Sequence, residues 1–282
     1  MAVERGVKLK LKEAQKRWLF SMIVALVIFC WIQNNYLTVT HYTYENAKLP
    51  KDLEGYRIVQ ISDLHNASFG RGNERLISKI AELQPDMIVI TGDVVDSSHT
   101  NMEVALEFAR QSAGLAPTYY ITGNHENWLK ASEKAYLLAE LQRLGVACLE
   151  NELVEIKHEN SAFTLIGLKD ESLSGNTLKE LLEDAESGQV QILLAHEPQY
   201  LDNYTASGVD LVFSGHAHGG QFRLPFAGGL VAPGQGFFPQ YTEGEHVKGS
   251  TTMIISRGLG NSVVPLRLFN LPEIVCVELS TE

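Results

Sequence analysis

Five short apolar runs, each cut off by a polar residue, constrain this chain most. They are "YRIVQISD" (56–63), "PDMIVITGD" (85–93), "PTYYITGN" (117–124), "VQILLAHE" (190–197) and "VDLVFSGH" (209–216). Runs of this length, dense in β-branched and aromatic residues, read as buried strands. Helical patterns lie between several of them, at 73–84, 101–115 and 131–145. In the first, Leu76, Ile77, Ile80 and Leu83 recur at helical spacing. Alternating strands and helices predict an α/β fold. The stretch 145–168, "GVACLENELVEIKHENSAFTLIGL", reads instead as consecutive antiparallel strands turning at "KHENSA". "YLTVTHYTY" (36–44), "TTMIISRG" (251–258) and "EIVCVELS" (273–280) add further strands. The expectation is two sheets rather than one doubly wound sheet.

The residues that stop the runs carry the chemistry. Asp63 and His65 follow the first, Asp93 the second, Asn124 and His125 the third, His196 the fourth, His216 and His218 the fifth. Ligands of open α/β sheets bind beyond the carboxyl ends of strands, so these groups are directed to one rim. Oxygen and imidazole donors without thiolate suit divalent Mn, Fe, Zn or Ni. Two ions about 3.5–4 Å apart need a bridge, which a carboxylate can supply. Residues i and i+2 of an extended segment point the same way, so Asp63 with His65 can approach one ion. His216 and His218 can face the same rim while bonding different ions. Taken singly, Asp63 and Asp93 could be helix caps, His65 and His196 structural histidines, and Asn124 a left-handed turn residue.

Taken in order, "SDLH", "TGD", "TGNHE", "AHEP" and "SGHAH" resemble the calcineurin-like metallophosphoesterase superfamily over roughly residues 56–278. The extended block "GHAHGGQFRLP" with "SRGLGNS" is similar to its membrane-associated YkuE/YaeI-type branch. The resemblance implies a two-sheet β-sandwich flanked by helices, the αββα architecture, and two divalent metal ions. Asp63, His65, Asp93 and His218 would hold one ion. Asp93, Asn124, His196 and His216 would hold the other, with Asp93 bridging. A hydroxide between the ions would attack phosphorus in line. His125 would be a general acid for the leaving oxygen or a donor to the transition state. Glu126 reads as a supporting or structural residue. Outside the blocks, His99 and Arg257 are candidate substrate contacts, although a surface salt bridge is an equal reading of Arg257. The Gly- and aromatic-rich stretch 226–241 reads as an irregular loop, either a wall of the site or a cover on the sheet.

Charge separates the N-terminus from the body. Six bases and two acids precede Trp18, a net +4, which leaves −15 for the remainder of a chain of formal net charge −11. An acidic body disfavours nucleic acid, which needs a basic footprint. After the bases comes "WLFSMIVALVIFCWI" (18–32), with no formally charged residue until Glu45. It is apolar all round and extends through Leu37, with Trp18, Trp31 and Tyr36 suited to the interfaces. The expected organisation is a basic cytoplasmic tail (1–17), an uncleaved transmembrane signal anchor (18–36) and a metallophosphoesterase domain (37–282) outside the cytoplasm. A cleaved signal peptide has the same basic and apolar regions, but no A-x-A-like site follows. Cys30, Cys148 and Cys276 form no CxxC pair and no disulfide framework. The expected activity is hydrolysis of a phosphodiester or pyrophosphate, possible on a lipid- or envelope-linked substrate. The alternatives are a nuclease, a phosphoprotein phosphatase, or a non-catalytic scaffold with the same fold.

Overall fold

The computed structural model describes residues 2–186, 188–262 and 264–281, with side chains from Lys12 onward. Two six-stranded sheets form the body. The first runs, in spatial order, Thr38–Glu45, Glu273–Ser280, Arg57–Ile61, Met87–Thr91, Thr118–Ile121 and Val146–Cys148. The second runs Gly244–Lys248, Thr251–Ile255, Leu211–Ser214, Gln191–Leu194, Ser161–Gly167 and Glu152–His158.

Alternation along the strands builds four layers. Ile58, Met87 and Val89 of the first sheet meet Ile192, Leu194, Leu211 and Phe213 of the second. Their neighbours Val59, Ile88 and Ile90 face the other way, onto helices Glu74–Glu82, Met102–Ala113 and Ala131–Arg143. On the far side, Leu193, Val212 and Met253 pack against Leu178, Leu201 and Tyr204 of helices Thr177–Glu183 and Leu201–Ser207. This is the expected helix–sheet–sheet–helix sandwich. Each such aliphatic or aromatic side chain taken from water contributes about 1.5–3 kcal/mol.

One reading of the sequence needs correction. Val146–Cys148 does not join an antiparallel run; it pairs parallel with Thr118–Ile121 in the first sheet. Only Glu152–His158 and Ser161–Gly167 form the hairpin, turning at Glu159 with φ 52°. The helix reaching Asn35 begins at Ala2, so the basic segment and the apolar run lie on one helix.

Buried Gln60 spans the sheets beneath the rim. Its amide donates to Ser214 O at 2.8 Å and to Thr91 Oγ1 at 3.0 Å. The strand ends that carry the polar residues are thereby held at one level.

Candidate active site

The apolar runs stop where the backbone turns sharply. Asp63, His65, Asp93, His216 and His218 have φ values of 53°, 44°, 54°, 65° and 47°. Left-handed conformations of non-glycine residues cost on the order of 1–3 kcal/mol each and collect at functional sites. They also replace the extended-segment argument for Asp63 with His65, because neither residue is extended. The turns, not a strand's period of two, bring these side chains together.

Two groups of donor atoms result, one around each of two histidines. Nε2 of His196 lies 3.1 Å from Asn124 Oδ1, 3.2 Å from His216 Nδ1 and 3.3 Å from Asp93 Oδ2. Nε2 of His65 lies 3.2 Å from His218 Nε2, 3.5 Å from Asp93 Oδ2 and 4.0 Å from Asp63 Oδ1. His218 Nε2 is 3.5 Å from Asp63 Oδ1. Asp93 Oδ2 therefore belongs to both groups. All seven side chains are buried.

Backbone amides orient the ligand atoms. His125 N–H donates to Asp93 Oδ1 at 2.8 Å, leaving Oδ2 for the histidines. His216 N–H reaches both oxygens of Asp63, at 3.0 and 3.1 Å. His196 Nδ1 donates to Thr91 O at 2.7 Å, which leaves the Nε2 lone pair facing inward. Glycines permit the close approach. A Cβ on Gly215 would collide with Ser62 Oγ and the Asp63 carboxylate, and one on Gly123 with Asp93 Oδ1.

The electrostatics fit cations. Burial pushes His65 well below its ordinary pKa, His218 below its own, and His216 down to about 3. These neutral imidazoles offer lone pairs. Burial also opposes charge on His196, yet Asp93 pulls this ring toward the imidazolium. Asp93 is itself held below its usual range by His196, against the effect of burial. Buried carboxylates that draw a proton onto a neighbouring imidazole call for positive charge, and divalent ions among these N and O donors supply it.

Glu126, read from sequence only as supporting or structural, organises the rim. Fully buried, it accepts N–H bonds from Asp93 (2.9 Å), Gly123 (2.8 Å) and Val95 (3.2 Å). Burial raises its carboxyl to about 7, with Asp93 adding to the shift. Asp96, Trp128 and Ser262 were not singled out. Asp96 Oδ2 stands 3.9 Å from His65 Nδ1, and Asp96 forms a further cluster with His65 and His125. Its only sequence signal was an acidic residue close behind Asp93.

A cavity of about 330 Å³ opens onto both groups, lined by Asp93, Asn124, His125, His216, His218 and His99, among others. His99, a candidate substrate contact, is one of these lining residues. Arg257 is not among the lining residues. Its guanidinium pairs with Glu273 at 2.9 Å and Glu243 at 3.5 Å, the salt-bridge reading of this residue. A larger hollow of about 600 Å³ lies between helices Met102–Ala113 and Ala131–Arg143. Four of its charged groups are paired along their own helices, Arg110 with Glu107 and Arg143 with Glu140.

The sequence model of the calcineurin-like phosphoesterase family matches residues 56–220, from the first rim strand through the "SGHAHGG" turn. This chain is a calcineurin-like phosphoesterase. Members of this family are metal-dependent hydrolases of phosphoric esters, and the donor groups above are this phosphoesterase's candidate metal ligands. The chain is 30% identical to the uncharacterized metallophosphoesterase YkuE of Bacillus subtilis over 89% of its length and 88% of that protein. It is 30% identical to the phosphodiesterase YaeI of Escherichia coli, over 79% of this chain and 82% of that one. A transmembrane protein with metallophosphoesterase domain from Danio rerio is 30% identical over 82% of this chain and 55% of its own length. The helix of this phosphoesterase agrees with membrane association. From Lys12 to Asn35 it is long and apolar enough to cross a bilayer, and it is almost wholly exposed.

Proposed function

We propose that this chain hydrolyses a phosphodiester or pyrophosphate with two divalent ions, Mn, Fe, Zn or Ni, from a body tethered to a membrane. The observation that carries the reading is Asp93 Oδ2, within 3.5 Å of His65 Nε2 and 3.3 Å of His196 Nε2. One ion would take Asp63, His65, Asp93 and His218; the other, Asp93, Asn124, His196 and His216. Bound there, the ions would supply a water acidic enough to ionise near neutral pH and would offset charge on the phosphoryl oxygens.

His125 supplies the proton side of the reaction. Ser97 N–H donates to His125 Nδ1 at 3.1 Å, so a lone pair occupies Nδ1 and the ring proton sits on Nε2. Ser262 Oγ is 3.3 Å from that Nε2 at the cavity wall. This favours a hydrogen-bond donor to the departing or phosphoryl oxygen over an imidazolium acid. His99, on the same wall, would contact the substrate beyond the phosphate.

The YaeI relative is named a phosphodiesterase, which supports diester chemistry. The −15 body disfavours the nuclease alternative. Residues 18–36 would span the bilayer, with the basic residues 1–17 in the cytoplasm and residues 37–282 outside it. The test is divalent-metal analysis of the purified protein together with hydrolysis of bis-p-nitrophenyl phosphate. Absence of bound metal, with equal activity in Asp93→Asn, would refute the enzyme reading. A reporter fused after residue 45 should be active only on the extracytoplasmic side.

A further inference from the structure

We infer that the substrate is a phosphoester of a membrane lipid, its phosphate at the donor groups and the start of its apolar chain in a groove beside them. This rests on the phosphoesterase reading above and names the substrate class of that site.

Three observations carry it. First, a second cavity of about 320 Å³ abuts the first and shares His218, Pro233 and Ser262 with it. Its remaining wall is mostly apolar: Ala217, Val231, Ala232 and Val264. Gln221 also lines it, but its amide is turned away, donating to Val264 O at 2.9 Å and Leu266 O at 2.8 Å. An apolar compartment opening from a polar one matches an amphiphile with a phosphate at one end.

Second, the loops around the groove expose large apolar side chains. Phe226, Phe237 and Phe238 are 110%, 77% and 66% exposed, and Phe269 is also exposed. Phe226 stands at the tip of one two-residue ladder (223–224 with 228–229), and Phe237 closes the next (231–232 with 236–237). Their loops are joined by backbone bonds, Phe238 N–H to Leu230 O and Leu230 N–H to Phe222 O, and large apolar side chains exposed on adjoining loops mark contact with an apolar phase.

Third, this apolar face is continuous with the membrane helix. Phe269 packs on Phe29 of the helix, ring centroids 5.7 Å apart. Asn270 N–H donates to Gln33 Oε1 at 3.2 Å, and its side-chain amide donates to His218 O at 2.7 Å and Gln221 O at 3.1 Å. Arg223 N–H bonds Leu268 O at 2.9 Å. One short segment, 268–270, thus joins the end of the helix to a metal-ligand loop and to the first aromatic ladder. The membrane that receives the helix is the apolar phase these phenylalanines face.

The test uses the full chain. In detergent solution, alkyl p-nitrophenyl phosphates from methyl to octyl are assayed below their micellar concentrations, with bis-p-nitrophenyl phosphate alongside. Water's hydroxyl goes to phosphorus, the bond to the phenol oxygen breaks, and nitrophenolate is read directly. The expected kcat/KM rises about fourfold per methylene until the groove is full, and Val264→Trp, which fills it, flattens the rise. In phosphatidylcholine vesicles carrying the reconstituted protein and hexadecyl p-nitrophenyl phosphate, the expected rate follows the probe's mole fraction in the bilayer. A flat chain-length series, a series unchanged in Val264→Trp, or a rate set by bulk concentration overturns the inference. Activity on bis-p-nitrophenyl phosphate separates that failure from failure of the phosphoesterase reading, which loses this activity as well.

Discussion

Asp93 and His125 are bonded through the backbone of one and the side chain of the other. The His125 amide holds Asp93 Oδ1 at 2.8 Å, and Oδ2 is turned toward His65 and His196. One carboxylate therefore serves two tasks with its two oxygens. In Asp93→Asn the amide oxygen can keep the His125 contact, but an NH₂ then faces the histidines where an acceptor is needed. The expected outcome is loss of bound divalent metal and a fall in kcat/KM of about two to four orders of magnitude. Elemental analysis and the diester assay read both. Chelation of the native protein should reproduce the loss, and divalent metal should reverse it.

His125 makes the opposite prediction for metal. Its side chain bonds Ser97 and Ser262 rather than joining the shared-carboxylate groups. His125→Ala should lower kcat by about 10²–10³-fold, with metal content unchanged. Loss of metal in this variant would reassign the ring as a ligand.

Glu126 supports the rim through three backbone amides that have no other role in view. Glu126→Gln replaces one acceptor oxygen with an NH₂ directed at those donors. Hydrogen bonds to charged groups contribute about 1.5–3 kcal/mol, so a destabilisation of about 2 kcal/mol is expected in urea unfolding. Metal affinity should weaken by about 10–100-fold, as when an outer partner of a ligand is lost.

Gly215 faces Ser62 and Asp63 with no room between. Gly215→Ala should displace the Asp63 carboxylate and weaken the ion shared by Asp63, His65 and His218. The other ion, held by Asn124, His196 and His216, should be retained. Metal stoichiometry near one per chain instead of two is the expected reading.

Burial pushes the Cys148 thiol up to about 12, and raises that of Cys276. At pH 8 the thiolate fraction of Cys148 is on the order of one in ten thousand. A thiol reagent should therefore leave Cys148 and Cys276 unmodified in the native protein and label all three cysteines after unfolding. An unfolded thiol ionises near pH 8.5. The stability contributed by the neutral buried thiol is thus complete below that pH and is lost as pH rises toward 12.

The apolar runs were legible because period-two burial on both faces leaves a continuous hydrophobic stretch, as in Met87–Thr91. Helices Thr177–Glu183 and Leu201–Ser207 were not, since seven residues give too little of a 3.6-residue period to read. The ligand residues were visible as the polar stops of those runs. Their delivery to one rim was legible too, but not the turns that make the side chains meet, which depend on left-handed φ at Asp63, His65, Asp93, His216 and His218. Ser262 entered the site through tertiary placement alone, and Asp96 offered only its nearness to Asp93 in sequence. Gln33 and Asn270, at opposite ends of the chain, offered no local pattern to pair them.

Only Tyr36 and Leu37 separate the helix from the first strand, and even these are pinned. Tyr36 N–H bonds back to Ile32 O and Thr38 N–H bonds Pro272 O, both at 2.9 Å. Arg75 caps the helix at Asn35 O, and Asn261 grips Asn34. The junction is a bracket, not a leash. With the helix in a bilayer as proposed, the depth at which it settles would fix the height and heading of the cavity mouth, and the catalytic centre would patrol a plane rather than a volume.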